Sequence, residues 1–309
     1  MADVHGVAAL PGLAVPAASG SEPANVIVPS YFADYEARYA VPVIRPVAVR
    51  SVVGVDGLLQ VEGAGRSWLT RTLVNATGTW ERPFIPYYPG AESFAGAQLH
   101  THDYEGPGRF AGQHVIVVGG GASAVQLLAE LSAVASTTWV TRRVPRWRST
   151  PFTETAGRDA VALVEERVRR GLPPLSVVSV TGLALRGQEQ EALRRGVYQR
   201  QPMFQRITPT GVAWTDGRQQ GADTILWATG FRPDVAHLAG LGLRSAAGGI
   251  QLDGTSAVRD PRVQLVGYGP SASTIGANRA GRVAALRITE QLAAGQEPAV
   301  PTAQLQATA

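Results

Sequence analysis

The chain has 309 residues, room for one large domain or two ordinary ones, with 45% hydrophobic and only 17% charged residues against a usual share of about 25%. Its net charge is +4 and all 28 basic residues are arginine; with no lysine and no cysteine, a P-loop or Schiff-base lysine, disulfides, Cys-ligated zinc, iron–sulfur clusters and thiol catalysis are excluded. Most arginines are scattered, the five histidines lack metal-ligand spacing, and no run of about 18 apolar residues occurs, so neither nucleic acid, metal nor a membrane span is expected.

Residues 1–28 are rich in Ala, Pro and Gly and read as loop. They contain no basic segment followed by a continuous apolar stretch, so a cytoplasmic protein is the expectation. Phe32, Tyr35 and Tyr39 recur at helical spacing and predict a helix over Ser30–Tyr39. Three β-type runs follow, Val43–Val53, Leu58–Val61 and Trp68–Ala76. Gly54, Asp56 and Gly57 mark a hairpin between the first two. Together they predict a small antiparallel meander whose last strand returns to a larger sheet. Gly78–Phe110 is dense in Pro and Gly and reads as a connector.

The pattern then changes. His114–Val118 is an apolar strand, Ala122–Leu131 an apolar helix and Thr137–Thr141 a second strand, the β-loop-α-β opening of a doubly wound α/β domain. Helices are predicted near Ala160–Arg170 and Gln188–Arg195, strands over Thr224–Ala228 and Val263–Val266, and a closing helix over Thr274–Leu292. The tail from Ala293 reads as frayed.

The turn after the first strand reads Gly119-Gly120-Gly121-Ala122-Ser123-Ala124, a Gly-x-Gly-x-x-Ala variant of the dinucleotide fingerprint. Gly119 suits a tight turn, Gly121 lets backbone approach a pyrophosphate, and Ala124 lets the helix pack on the strand. The helix N-terminus then offers N–H groups and a positive dipole end to phosphate. The second strand ends in Thr141-Arg142-Arg143. No acid stands there for a ribose 2′-OH, so the arginine pair favours the 2′-phosphate of NADPH. Two further apolar runs end alike, Asn75-Ala76-Thr77-Gly78 and Trp227-Ala228-Thr229-Gly230, placing Thr77, Gly78, Thr229 and Gly230 where small residues admit a cofactor or linker.

Before the fingerprint stands Phe94-x-Gly96-x-x-x-His100-x-x-x-Tyr104. This string, between the first Ala-Thr-Gly and the glycine fingerprint and with the second Ala-Thr-Gly beyond, resembles the identifying sequence of the flavin-containing monooxygenases and their Baeyer–Villiger and N-hydroxylating relatives. The resemblance extends from about Val43 to Leu292. It implies a two-dinucleotide-binding-domain flavoprotein, three-layered and Rossmann-like, with an NADPH domain inserted in an FAD domain. The expected division is 1–110 for the first part of the FAD domain, 111–215 for the NADPH domain and 216–309 for the second part of the FAD domain. Gly267-Tyr268-Gly269-Pro270, followed by Ser273 and Thr274, matches the family's turn and helix at the flavin, where a helix N-terminus favours negative charge on the ring.

The family's own FAD fingerprint, a strand followed by Gly-x-Gly-x-x-Gly, has no counterpart in residues 1–28. The FAD domain reads as truncated, which leaves two readings: Met1 is an internal methionine of a longer protein, the simpler one, or the protein is short and its flavin site incomplete. The implied activity is NADPH- and FAD-dependent oxygen insertion from O2 into a small organic substrate through a C4a-(hydro)peroxyflavin. An NADPH-flavin reductase or oxidase, or a non-catalytic NADPH-binding chain, would use the same motifs. The resemblance implies a small-molecule substrate and O2 as partners, and leaves self-association open. No catalytic side chain is assigned. His100 is the best polar candidate, with a structural role the more ordinary one.

Overall fold

A computed structural model describes residues 7, 9–16, 24–148, 154–175, 182–272 and 274–294. In chain order the elements are α1 (Ala24–Arg38), β1 (Val49–Val55), β2 (Leu58–Gly63), β3 (Arg66–Thr70), β4 (Leu73–Asn75), β5 (Ala97–His100), β6 (His114–Val118), α2 (Ala122–Leu131), β7 (Ser136–Thr141), α3 (Glu154–Arg169) and α4 (Gly187–Arg194). Then follow β8 (Arg200–Pro202), β9 (Arg206–Thr208), β10 (Gly211–Ala213), β11 (Gln219–Gly221), β12 (Thr224–Trp227), β13 (Leu252–Asp253), β14 (Ser256–Ala257), β15 (Asp260–Leu265) and α5 (Thr274–Ala294). Among the described residues no helix is long and apolar enough to cross a membrane.

The chain divides into two compact units. One comprises residues 1–76, 168–173 and 235–309, and the other 77–167 and 174–234. The second is therefore an insertion in the first, as the α/β two-domain architecture requires. Apart from the short return at 168–173, the crossings fall within the first Ala-Thr-Gly string, at 76/77, and shortly after the second, at 234/235, whereas the expected divisions stood at 110 and 215. The physical reason is sheet membership. β5 and β12 both pair inside the inserted unit, so residues 77–110 and 216–234 belong to it.

The inserted unit is built on a five-stranded parallel sheet ordered β5-β12-β6-β7-β8. The central strand β6 is a run of His, Val, Ile, Val and Val, whose four apolar residues are buried, as a parallel strand covered on both faces demands. One face packs Val115 and Val117 against Ala124, Val125 and Leu128 of α2, with Trp139. The other packs Ile116, Val118 and Ile225 against Phe94, Phe204 and Trp227. A small antiparallel sheet, β11-β10-β9, completes the unit.

The other unit holds the predicted meander, β1-β2-β3, antiparallel throughout. Asp56 (φ 47°) and Gly57 (φ 79°) form its first turn, both in the left-handed region that a tight hairpin needs. The predicted third strand breaks into two. β3 closes the meander, and β4 crosses to a second sheet, where it lies parallel to β15 in the order β13-β14-β15-β4. Val52, Leu59, Val61, Leu238, Val263, Leu265 and Tyr268 form this unit's core. Two further readings change. Helix α1 begins at Ala24, inside the segment read as loop, and residues 43–48 are not strand.

Candidate functional site

The glycine turn sits at the C-terminal end of β6. That strand lies between β12, which leads the sheet one way, and β7, which leads it the other. A reversal of strand order at the carboxyl ends is where open α/β sheets bind ligands. Each glycine has a separate job. Gly119 has φ +148°, and a Cβ there would lie 2.1 Å from the carbonyl oxygen of Ala228. Its own N–H donates to Val140 O (2.9 Å), and its carbonyl accepts from the Trp139 indole (2.7 Å). Both bonds fasten the turn to β7. Gly121 is the N-cap of α2 and has no side-chain cap; a Cβ there would meet nothing within 4 Å. Open space in front of uncapped first-turn N–H groups is the geometry of an anion site. Ser123 is exposed on that first turn, while Ala124 is fully buried against the sheet.

The end of β7 lies beside this turn. Gly120 stands 3.8 Å, measured to an ideal Cβ, from Thr141, and 4.0 Å from Arg143 O. Arg142 and Arg143 are exposed at the strand tip. The Arg142 charge reaches Tyr88, whose hydroxyl is nonetheless pushed up by burial. A third arginine, passed over in the sequence, comes from β8. Arg200 Nε donates to Thr141 Oγ1 (2.7 Å) and its Nη2 to Thr141 O (3.1 Å). Thr141, 2% exposed, donates its hydroxyl to Arg143 O (2.7 Å). The strand alignment that places Arg200 opposite Trp139 is the only signal for it, and pairing of β8 with β7 is not legible in three residues.

Each Ala-Thr-Gly string bonds the segment that follows the other. Within the inserted unit, residues 78–84 and 230–234 run antiparallel. Phe84 N donates to Gly230 O, Arg232 N to Arg82 O and Asp234 N to Gly78 O, each at 2.9 Å. Thr77 Oγ1 donates to Asp234 O, and Thr229 Oγ1 to Phe84 O. The two threonine hydroxyls are engaged with main chain, while Gly78 (φ +65°) and Gly230 (φ +80°) face open space.

The Phe-x-Gly…His string is likewise structural. Phe94 is in the core, and a Cβ on Gly96 would fall 2.3 Å from Asp223 O. His100, 1% exposed, accepts the His102 N–H on Nδ1 (3.1 Å), so its proton sits on Nε2, which donates to Gly230 O (3.0 Å). Burial holds its pKa below the ordinary histidine value. It is a neutral tie between the motif and the second Ala-Thr-Gly string, not an acid–base group.

In the other unit, Gly267 (φ +79°) and Gly269 (φ +62°) form the turn after β15. Ser271 Oγ accepts the N–H groups of Gly267 (3.0 Å) and Tyr268 (3.2 Å), and Tyr268 buries its ring and accepts Ile250 N–H (2.9 Å) on its hydroxyl. Tyr268 thus braces the turn from inside. Thr274 begins α5; Ser273 lies outside the described residues. Nearby, Asn75 at the end of β4 is 2.6 Å from His237 Nε2.

Comparison with known proteins places this arrangement. The model of the pyridine nucleotide-disulphide oxidoreductase family matches residues 13–165; with no cysteine in the chain, the disulphide chemistry in that name does not apply to it. The solved flavin-containing monooxygenase from Stenotrophomonas maltophilia is 37% identical, with a TM-score of 0.77, covering 93% of this chain and 83% of its own. A rice relative, "Indole-3-pyruvate monooxygenase YUCCA1" (Oryza sativa subsp. japonica), is 28% identical over 55% of this chain. A third, "Uncharacterized oxidoreductase CzcO-like" from Geobacillus kaustophilus, is 25% identical over 74% of it. The chain spans 49% of the length of the rice relative and 66% of that of the Geobacillus one. With the glycine turn, the paired Ala-Thr-Gly strings and the inserted nucleotide unit all in place, the chain belongs to the flavin-containing monooxygenase family, whose members are flavin-dependent oxidoreductases.

Proposed function

We propose that the protein is an NADPH- and FAD-dependent oxidoreductase, a monooxygenase that transfers one oxygen atom of O2 to a small organic substrate. The observation that carries the reading is the glycine turn at the sheet's reversal point, open in front of Gly121 and set beside the exposed Arg142 and Arg143. Neither of these arginines has a carboxylate partner among the described residues. The two uncompensated guanidinium groups of Arg142 and Arg143 beside an uncapped helix fit a pyrophosphate and a further phosphate.

The residues present fit NADPH. Gly121 and the first turn of α2 would hold the pyrophosphate, and Arg142 and Arg143 the 2′-phosphate. For FAD the fit is partial. The turn at Gly267–Ser271 and the start of α5, which follow β15, suit the ring end, but among the described residues no strand precedes β1 to carry a further such turn. When bound, the nicotinamide and the flavin would supply hydride transfer and O2 chemistry. This chain's own residues bind and orient; none is required to move a proton.

The test is visible absorbance between about 350 and 500 nm, where oxidised flavin absorbs, with and without added FAD and then with NADPH. Yellow protein bleached by NADPH, with oxygenated product from an added soft nucleophile or ketone, supports the proposal. Bleaching that yields only H2O2 replaces it with a reductase or oxidase. Colourless protein that still binds NADP⁺ removes the catalytic claim from this chain alone.

A further inference from the structure

We infer that Arg200 is a positioning residue that sets the choice between 2′-phosphorylated and unphosphorylated dinucleotides, by clamping the turn that presents Arg142 and Arg143. The inference rests on the NADPH reading above and extends it to a residue that neither the glycine fingerprint nor the arginine pair points to.

Thr141 is the last residue of β7. It has no partner on β6, is paired on the other side with Pro202, and its side chain is buried. Both polar groups need partners there, because an unsatisfied buried polar atom is costly. Arg200 supplies both at once: Nε to the hydroxyl at 2.7 Å and Nη2 to the carbonyl at 3.1 Å. Accepting from Arg200 orients the hydroxyl so that its hydrogen goes to Arg143 O at 2.7 Å. That bond closes a tight turn over Arg142 and holds the main chain of Arg143 beside Gly120.

The order of cause is therefore Arg200 fork, Thr141 hydroxyl, Arg143 carbonyl, and finally the direction in which the side chains of Arg142 and Arg143 leave the turn. The geometry depends on a planar fork with two parallel donors. A lysine in its place brings the same charge but one compact ammonium, which cannot satisfy side chain and main chain together. The separation of charge from shape makes the inference testable. A phosphate is recognised by fixed donors, while an adenosine ribose without it asks nothing of this turn. Loosening the clamp should therefore weaken NADP⁺ and leave NAD⁺ as it was.

The experiment measures equilibrium dissociation constants of NADP⁺ and NAD⁺ by calorimetry on the purified chain, without turnover, and takes their ratio. Arg200→Met and Arg200→Lys are each expected to lower the preference for NADP⁺ about fivefold or more, with NAD⁺ affinity within about twofold of the parent. Thr141→Val, which removes the pivot hydroxyl at nearly constant volume, should do the same, and Thr141→Ser should restore the preference. The two Thr141 variants keep the test alive if the Arg200 variants fold poorly. A parental ratio in Arg200→Lys overturns the inference, since charge alone would then suffice. A parallel loss of both nucleotides overturns it too, because that is general damage. Arg142→Ala and Arg143→Ala serve as the separate check. If neither changes the ratio, the NADPH reading itself fails, whatever Arg200 does.

Discussion

Gly119 and Gly121 lie two positions apart in one turn, and a methyl group would mean something different at each. At Gly119 the added carbon would stand 2.1 Å from a carbonyl oxygen and the backbone has φ +148°, so both neighbour and main chain must move. Gly119→Ala is expected to destabilise the protein by roughly 2–5 kcal/mol, read from the urea midpoint. At Gly121 the φ is −100° and the space is empty, so the fold has no objection. Gly121→Ala should cost under about 1 kcal/mol in the same titration, yet weaken NADP⁺ binding, because on the proposed reading the space it fills is the ligand's. His100 gives a prediction of another kind. Burial depresses its native pKa, so the unfolded chain binds its proton first. Stability is then full above the unfolded value of about 6.5 and declines as pH falls through it toward the native pKa. His114, half-buried between Ser136 and Thr138, is depressed for the same reason and adds to the slope. Urea unfolding at a series of pH values from about 8 to 5 should show that decline, and His100→Asn should make it shallower. An unchanged slope would place the titration elsewhere.

Among the elements, the ribbon of residues 78–84 and 230–234 shows what the two Ala-Thr-Gly strings do for the main chain. The Ala-Thr-Gly strings mark strand ends at the right places, but the threonine hydroxyls, expected at the cofactor, are engaged with main-chain carbonyls. Thr229 is half-buried and Thr77 exposed, which separates the two in energy. Thr229→Val should cost about 1 kcal/mol, and Thr77→Val under about 0.5 kcal/mol because water replaces the lost donor. A fall in NADP⁺ affinity with stability unchanged would return Thr229 to cofactor contact. The β6-α2-β7 unit was legible to within a residue because each part is a long, uninterrupted signal. β5 was not. Its Ala-Gln-Leu-His alternates, but four residues inside a stretch dense in Pro and Gly are too short to stand out, and its strand character comes from parallel pairing with β12, far along the chain. β8 to β11 are three residues each, too short for any period to show. Arg200 was hidden with them.

For the whole molecule, the insertion was legible from motif order, but its edges were not, because an edge is decided by which sheet a strand joins. The two units have separate cores. Ile116, Leu128 and Trp139 belong to one; Leu59, Leu238 and Val263 belong to the other. Scanning calorimetry should therefore resolve two transitions. NADP⁺ at about 100 times its dissociation constant should stabilise the inserted unit by roughly 2.7 kcal/mol and leave the other transition in place. A single transition that moves as a whole would show that the cores unfold together.

The contact between Gly119 and the Ala228 carbonyl also has an evolutionary reading. The obstacle to a side chain at 119 is a main-chain atom, which every amino acid at 228 carries. No replacement at 228 can therefore compensate for losing the glycine. Among descendants of this fold, 119 must stay glycine whatever stands opposite. A lineage that kept the second string but lost this glycine would have had to rebuild the turn itself, not swap one residue.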